Sequence, residues 1–281
     1  MPLSFEDIDF LIIGAGKSAS TWLQTQLQAD PTVYMPGPEL HYFSREYRRG
    51  DDWYLSQFSE EGIGRTVGEK SNSYLYEPEA AARIHRVLPN AKLIAQLRNP
   101  VDRAYSHYCM LFRRGEVGSD IESYLDPSKG EHPRLVGSGH YARHLQRYID
   151  LFGRDQLLIL FYEGVKGDPE RQMAKVRSYL GLPQRPLAEL SRGKAKDKTV
   201  PVVPAPLRKR LGWMKPLTRQ LRGTPVFEAV RGTIARDVEY PALTADLKKR
   251  LSEYYAPSIE LLEGLSGQSL SHWYGQMESV D

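Results

Sequence analysis

Three short apolar runs, at residues 10–13, 93–97 and 157–162, constrain this chain more than any other feature. Each is near-continuous rather than alternating, and helix-period sequence separates one from the next. Strands covered on both faces read this way, and parallel strands need crossover connections between them. The expected fold class is therefore α/β, with a central, mainly parallel β-sheet flanked by helices in a single domain over residues 1–281. Tyr141, Leu145, Tyr148, Ile149 and Phe152 form one apolar stripe at helical spacing. Residues 169–180 read as another helix, with Pro169 in its first turn and Gly181 closing it. Leu243, Leu247, Leu251 and Tyr254 mark a late helix, and Pro257 is expected to start a separate short one.

Composition narrows the class further. The 281 residues are 41% hydrophobic and 26% charged, which is ordinary globular usage and excludes a disordered or disulfide-scaffolded chain. The longest apolar run falls far short of the ~20 residues of a bilayer-spanning helix, so no membrane span is expected. Glu6, Asp7 and Asp9 stand where a secretory signal would be basic. The one cysteine, Cys109, has no partner for an internal disulfide or a thiolate metal site. A cytoplasmic setting follows as the expectation.

Net charge is +3, but it is unevenly placed: residues 191–222 carry ten Lys or Arg against Asp197 alone. This stretch lies within residues 183–241, where eight prolines break any long element and an irregular excursion is expected. Such a segment faces an anionic ligand or is simply a solvated basic loop. Trp213 is the single aromatic of residues 191–222, so a stacking platform is unsupported and no nucleic-acid partner is expected.

The sharpest local signal follows the first apolar run: Gly14-Ala-Gly16-Lys17-Ser18-Ala19-Ser20-Thr21-Trp22. A strand entering a small-residue loop, with Ser20 or Thr21 to cap the next helix, makes a cradle for a phosphate-like anion. A Walker A loop fails, because Leu11 stands where its first Gly belongs. A dinucleotide fingerprint matches at Gly14, Gly16 and Ala19, with Glu39 at the spacing of a ribose-binding acid. A nicotinamide-dependent oxidoreductase of Rossmann type is therefore one reading, and a tight turn that needs Gly is another.

The second apolar run leads into Arg98-Asn99-Pro100-Val-Asp-Arg103-Ala-Tyr-Ser106-His-Tyr108. Asn99 is a natural N-cap and Pro100 a natural first helical residue. Arg98 then stands at the carboxyl end of a strand, where open α/β sheets bind ligands, and Ser106 lies two turns into the helix. A guanidinium and a hydroxyl so placed suit a second phosphate. Arg103 reads as structural, and Tyr105 and Tyr108 as core.

These two motifs together resemble the sulfotransferases that use 3′-phosphoadenosine-5′-phosphosulfate (PAPS). Lys17-Ser-Ala-Ser-Thr21-Trp22 is similar to the family's first loop, with Ala19 where Gly is usual. Arg98 to Tyr108 matches the family's second motif at every fixed position. The resemblance implies a P-loop-like sulfotransferase fold, PAPS as co-substrate, and no metal requirement. It implies that residues 16–22 (Gly16, Lys17, Ser18, Ala19, Ser20, Thr21 and Trp22) bind the 5′-phosphosulfate, and Arg98 and Ser106 the 3′-phosphate. Further stretches resemble the bacterial and heparan sulfate branches: Pro38-Glu39-Leu-His41-Tyr-Phe-Ser44, Gly68-Glu-Lys70-Ser71, residues 139–147 and Tyr162-Glu163. The likeness fades over 183–241, where Arg192-Gly193-Lys194 or Arg236 would complete the donor site.

Sulfuryl transfer requires in-line displacement and stabilisation of charge on the leaving oxygen, which Lys17 and loop amides supply. The acceptor, a hydroxyl or less favourably an amine of a small molecule or glycan, must lose a proton to Glu39 or His41. The resemblance favours Glu39 as base with His41 positioning the acceptor, both on an extended segment, and leaves Lys70 to pair with Glu39 or touch the transferring group. No metal-ligand spacing is present among the histidines, and His140 and His144 read as ordinary helix residues.

Overall fold

Five parallel strands make one sheet in the order β2-β3-β1-β4-β5 in the computed structural model, which describes residues 3–189 and 238–274. The strands are β1 (Ile8–Gly14), β2 (Val33–Tyr34), β3 (Thr66–Lys70), β4 (Lys92–Leu97) and β5 (Leu157–Phe161). The three apolar runs are β1, β4 and β5, neighbours at the centre and one side of the sheet. β5 ends one residue before Tyr162, which opens a helix instead. The basic stretch 191–222, Arg236 and most of the expected excursion fall in residues 190–237, outside the described residues.

Strand periodicity sorts β1 between two apolar layers. Leu11 and Ile13 face one layer and Phe10 and Ile12 the other, all four fully buried. Burying each of these side chains contributes about 1.5–3 kcal/mol. The first layer receives α3 (Ala80–Val87), α4 (Pro100–Arg114) and α6 (Tyr141–Phe152), and the second receives α1 (Ser20–Gln28) and α8 (Pro169–Leu180). In α6, Tyr141, Leu145, Tyr148 and Phe152 are buried along the expected stripe. Asp168 caps α8 by accepting from Arg171 N, and Gly181 ends it in the left-handed region at φ 77°.

The last long helix, here α9 (Ala245–Ser266), runs unbroken through Pro257 instead of restarting there. Proline in a helix interior costs about 3 kcal/mol. Leu247, Leu251, Tyr255, Ile259 and Leu262 are buried on both sides of it, and that continuous stripe offsets the cost. No helix of the described residues is long and apolar enough to cross a membrane.

This topology fixes where ligands meet the protein. The helix after β1 leads toward β2 at one edge, and the chain after β4 leads toward β5 at the other. The connections part above the carboxyl ends of β1 and β4, the crevice in which open α/β sheets bind ligands. Beside it, β3 ends in Lys70.

Candidate active site

The loop after β1 is closely packed from below. A side chain on Gly14 would put its Cβ 2.8 Å from Leu75 Cβ, so only glycine fits. Ala15 N donates to Gln96 O at 2.7 Å, fixing the loop to β4. Lys17 and Ala19 both adopt left-handed backbone, at φ 72° and 63°. Ala19 itself is the N-cap of α1 and makes no side-chain cap, so neither Ser20 nor Thr21 caps the helix as the sequence suggests. Both hydroxyls are used elsewhere. Ser20 Oγ donates to Asn72 Oδ1 at 2.8 Å, and Thr21 Oγ1 accepts from Lys70 Nζ at 3.2 Å. Ser18 Oγ is buried without a hydrogen-bond partner among the described residues. Trp22 packs against the apolar layer under α1, away from these polar groups.

Glu39 is the hub of a second cluster. Its Oε1 lies 2.6 Å from Lys70 Nζ and accepts from Asn72 Nδ2 at 2.7 Å, while Oε2 lies 3.2 Å from His41 Nε2. Burial raises the Glu39 pKa, but the hydrogen bond from His41 and the Lys70 ammonium overrule it and hold the carboxyl down to about 2. The two side chains do not meet on an extended segment, because the chain turns at His41, whose φ is 54°. His41 O accepts from Ser44 N and Glu46 N to close that turn, and His41 N donates to Ser71 Oγ at 2.8 Å. His41 Nδ1 meets Ser73 Oγ at 2.7 Å, which orients the ring.

Below this cluster, Glu69 accepts from Ser71 Oγ and Tyr74 OH on the opposite face of β3 from Lys70. Burial pushes Glu69 up to about 7, against the pull of those two hydrogen bonds. Gly68 leaves room for the Phe10 ring, which would lie 2.3 Å from any Cβ there.

The Arg98 corner is built by α4 and its neighbours. Asn99 Oδ1 accepts from Val101 N and Asp102 N, with Pro100 at the first helical position, and Asn99 Nδ2 donates to Trp273 O at 3.1 Å. Tyr141 OH donates to Arg98 O, and the Arg98 guanidinium lies 4.7 Å over the Tyr162 ring. That guanidinium also reaches Lys17 O at 3.4 Å and Asp102 Oδ2 at 3.5 Å, so the two loops share one wall. Ser106 is buried on the same helix, and Arg103 is buried with its guanidinium on Leu135 O. Tyr108 is fully buried and Tyr105 partly so. His107 is held down to about 3 by burial and by the charges of Arg103, Arg134 and Lys17. Arg134 and Arg45 also act on the Tyr76 hydroxyl, which burial pushes up.

Among the described residues no cluster of His, Cys, Asp or Glu is placed to hold a metal ion. His140 precedes α6 and meets Tyr254 OH, and His144 is buried against Gly137 O. The ribose-binding role for Glu39 is overturned by topology. A dinucleotide fold pairs its second strand with its first, whereas here β3 separates β2 from β1 and Glu39 is bound to Lys70. Asn72 and Ser73 were not signalled by the sequence: each reaches the site through a loop fold that only the sheet order creates.

Fold and site together define an α/β protein with two strand-to-helix turns at the carboxyl ends of β1 and β4 and an acid–lysine–histidine cluster beside the first of them, at the end of β3. The chain belongs to the sulfotransferase family: the model described as "Sulfotransferase domain" matches residues 7–200. It is 30% identical over 264 residues to the human heparan sulfate glucosamine 3-O-sulfotransferase 6, covering 92% of this chain and 71% of that protein. It is also 30% identical over 199 residues to the bifunctional heparan sulfate N-deacetylase/N-sulfotransferase 1 of Caenorhabditis briggsae. That match covers 63% of this chain but only 23% of the nematode protein. In fold it is similar to a sulfotransferase from Alicyclobacillus acidocaldarius, with TM-score 0.70, 24% identity, and coverage of 95% of this chain and 98% of that one.

Proposed function

We propose that this protein transfers a sulfuryl group from PAPS to a hydroxyl of a carbohydrate or other small acceptor, with Glu39 as general base. The observation that carries this reading is the Glu39 carboxylate, held by Lys70 and His41 beside the loop residue Thr21. The residues present fit the donor. Ser18 Oγ is a buried hydroxyl in want of a partner, and Arg98 stands at the strand end with Ser106 buried on the helix that follows. Lys17 and the loop amides would hold the 5′ end, with Arg98 and Ser106 on the 3′-phosphate. When bound, PAPS supplies a sulfuryl group already attached to a phosphate leaving group.

Glu39 is ionised at neutral pH and so is able to accept the acceptor's proton. Lys70 keeps that carboxylate in place, and its contact with Thr21 puts the ammonium within reach of the loop. A turn of Lys70 toward the transferring group would strengthen Glu39 as a base at the moment it is needed. The names of the human and nematode relatives point to heparan sulfate.

The test is Glu39→Gln, which keeps shape and removes basicity. Turnover is expected to fall by about 10²–10⁴-fold, with affinity for 3′-phosphoadenosine-5′-phosphate (PAP) nearly intact. Near-normal turnover would remove Glu39 from the mechanism.

A further inference from the structure

We infer that Asn72 is a positioning residue that links the donor loop to Glu39 and directs the acceptor's proton to Glu39 Oε2. The inference rests on the reading of Glu39 as base. Its ground is a count of donors and lone pairs. A carboxylate offers about four lone-pair sites, two on each oxygen. Oε1 already takes the Asn72 amide at 2.7 Å and the Lys70 ammonium at 2.6 Å, so both of its sites are filled. Oε2 meets only His41 among the described residues, at 3.2 Å, and keeps one site open. An incoming hydroxyl therefore finds its acceptor at Oε2. As that O–H bond breaks, the proton forms the neutral Glu39 carboxyl, and the released electron pair makes the new oxygen–sulfur bond. The old bond from sulfur to the phosphate oxygen breaks, and its electron pair leaves with the phosphate of PAPS.

The sense of the Asn72 amide is fixed by the same count. An ionised carboxylate donates nothing, so Nδ2 must face Glu39 and Oδ1 must face Ser20. Ser20 Oγ then commits its proton to Oδ1, at 2.8 Å. The arm Ser20–Asn72–Glu39 runs beside a second one, Thr21–Lys70–Glu39, and both start on adjacent residues of the first turn of α1. Asn72 also packs on the loop backbone: its Cβ would lie 3.8 Å from a Cβ on Gly16. A displacement of the loop is thereby transmitted to the base.

Asn72→Ala tests this, with Asn72→Leu as the near-isosteric control for packing. Two quantities are read: kcat at saturating donor and acceptor, and the titration of the Glu39 carboxyl in ligand-free protein by ¹³C nuclear magnetic resonance. Both variants are expected to lose roughly tenfold to a hundredfold in kcat, as a small misplacement of a reacting group does. The Glu39 titration should move up by about one pH unit, since a hydrogen bond to the charged form is gone. Combined with Glu39→Gln, the Asn72 change should cost almost nothing further, and PAP affinity should stay within about twofold. Near-normal turnover in Glu39→Gln would overturn the base reading itself. A crippled Glu39→Gln beside Asn72 variants with unchanged kcat and an unmoved Glu39 titration would overturn this inference alone. So would Asn72 and Glu39 effects that simply multiply.

Discussion

Lys70 and Glu39 meet at 2.6 Å, although one ends a buried strand and the other sits in the irregular loop between β2 and α2 (Asp51–Leu55). Lys70 is 3% exposed and Glu39 25%, so the pair is only partly screened by water. A buried ammonium is tolerated when it is paired, and here the pairing also sets the acidity of its partner.

Lys70→Met keeps the length of the side chain and removes its charge. The Glu39 carboxyl is then expected to rise from about 2 toward its ordinary value near 4.5. The acidic limb of the kcat profile should move up with it, by roughly one to two pH units since the His41 hydrogen bond remains, while turnover falls. In the wild type, the depressed Glu39 contributes stability that is complete above about 4.5 and is lost as pH falls through about 2. An acid titration of folding that is identical in the two proteins would show that Lys70 does not set Glu39.

Glu69 carries the opposite sign. Its folded-state value is raised to about 7, so the native protein holds a proton there that the unfolded chain has released above about 4.5. Stability is therefore expected to fall as pH rises from 4.5 through 7 on account of this group. Glu69→Gln should gain on the wild type across that window. Denaturant melts at pH 5 and pH 8 check it, and an equal difference at both would assign the ionisation elsewhere.

Arg98→Ala should weaken PAP by about 1.5–3 kcal/mol, as loss of a charge-assisted hydrogen bond does, and Ser106→Ala by less. The same changes should leave a ligand without the 3′-phosphate almost unaffected. Calorimetric titration with the two nucleotides distinguishes the cases. Equal losses for both would move the 3′-phosphate site away from α4.

Ala19 holds a left-handed conformation that costs an L-residue roughly 1–2 kcal/mol. Ala19→Gly relieves that strain but loosens the unfolded chain by about 0.4–1 kcal/mol. The net expectation is a melting temperature equal to the wild type or a few degrees higher. A clear drop would mean that the Ala19 methyl packs in the loop.

What the sequence made legible follows from how each residue earns its place. β1, β4 and β5 are apolar on both faces, and Asn99-Pro100 and Pro169 with Gly181 punctuate their helices locally. β3 carries no apolar run in Thr66-Val-Gly-Glu-Lys70, so only the resemblance at Gly68–Ser71 marks a strand end there: Gly68 yields to Phe10, Glu69 is buried in hydrogen bonds and Lys70 in an ion pair. β2 has two residues, too few for any periodicity. Pro257 misled because its local cost is offset by contacts made across the whole of α9. Glu39 and His41 meet at 3.2 Å, but through a left-handed turn at His41 in place of the expected extended segment. Such long-range compensation leaves little trace in a local window.

The single amide of Asn99 has one further consequence. One of its ends starts the helix that follows Arg98 and bears Ser106, and the other grips the backbone of Trp273, whose indole is bound in turn to Glu163 at 3.0 Å. The family match closes at residue 200, so this grip joins the shared module to a region the match does not include. Exchanging the last described residues for another protein's tail would leave every named site residue in place but remove the indole that Trp273 gives to Glu163. Heredity could therefore vary the tail only in step with Glu163, and the two should be transplanted between relatives as one piece.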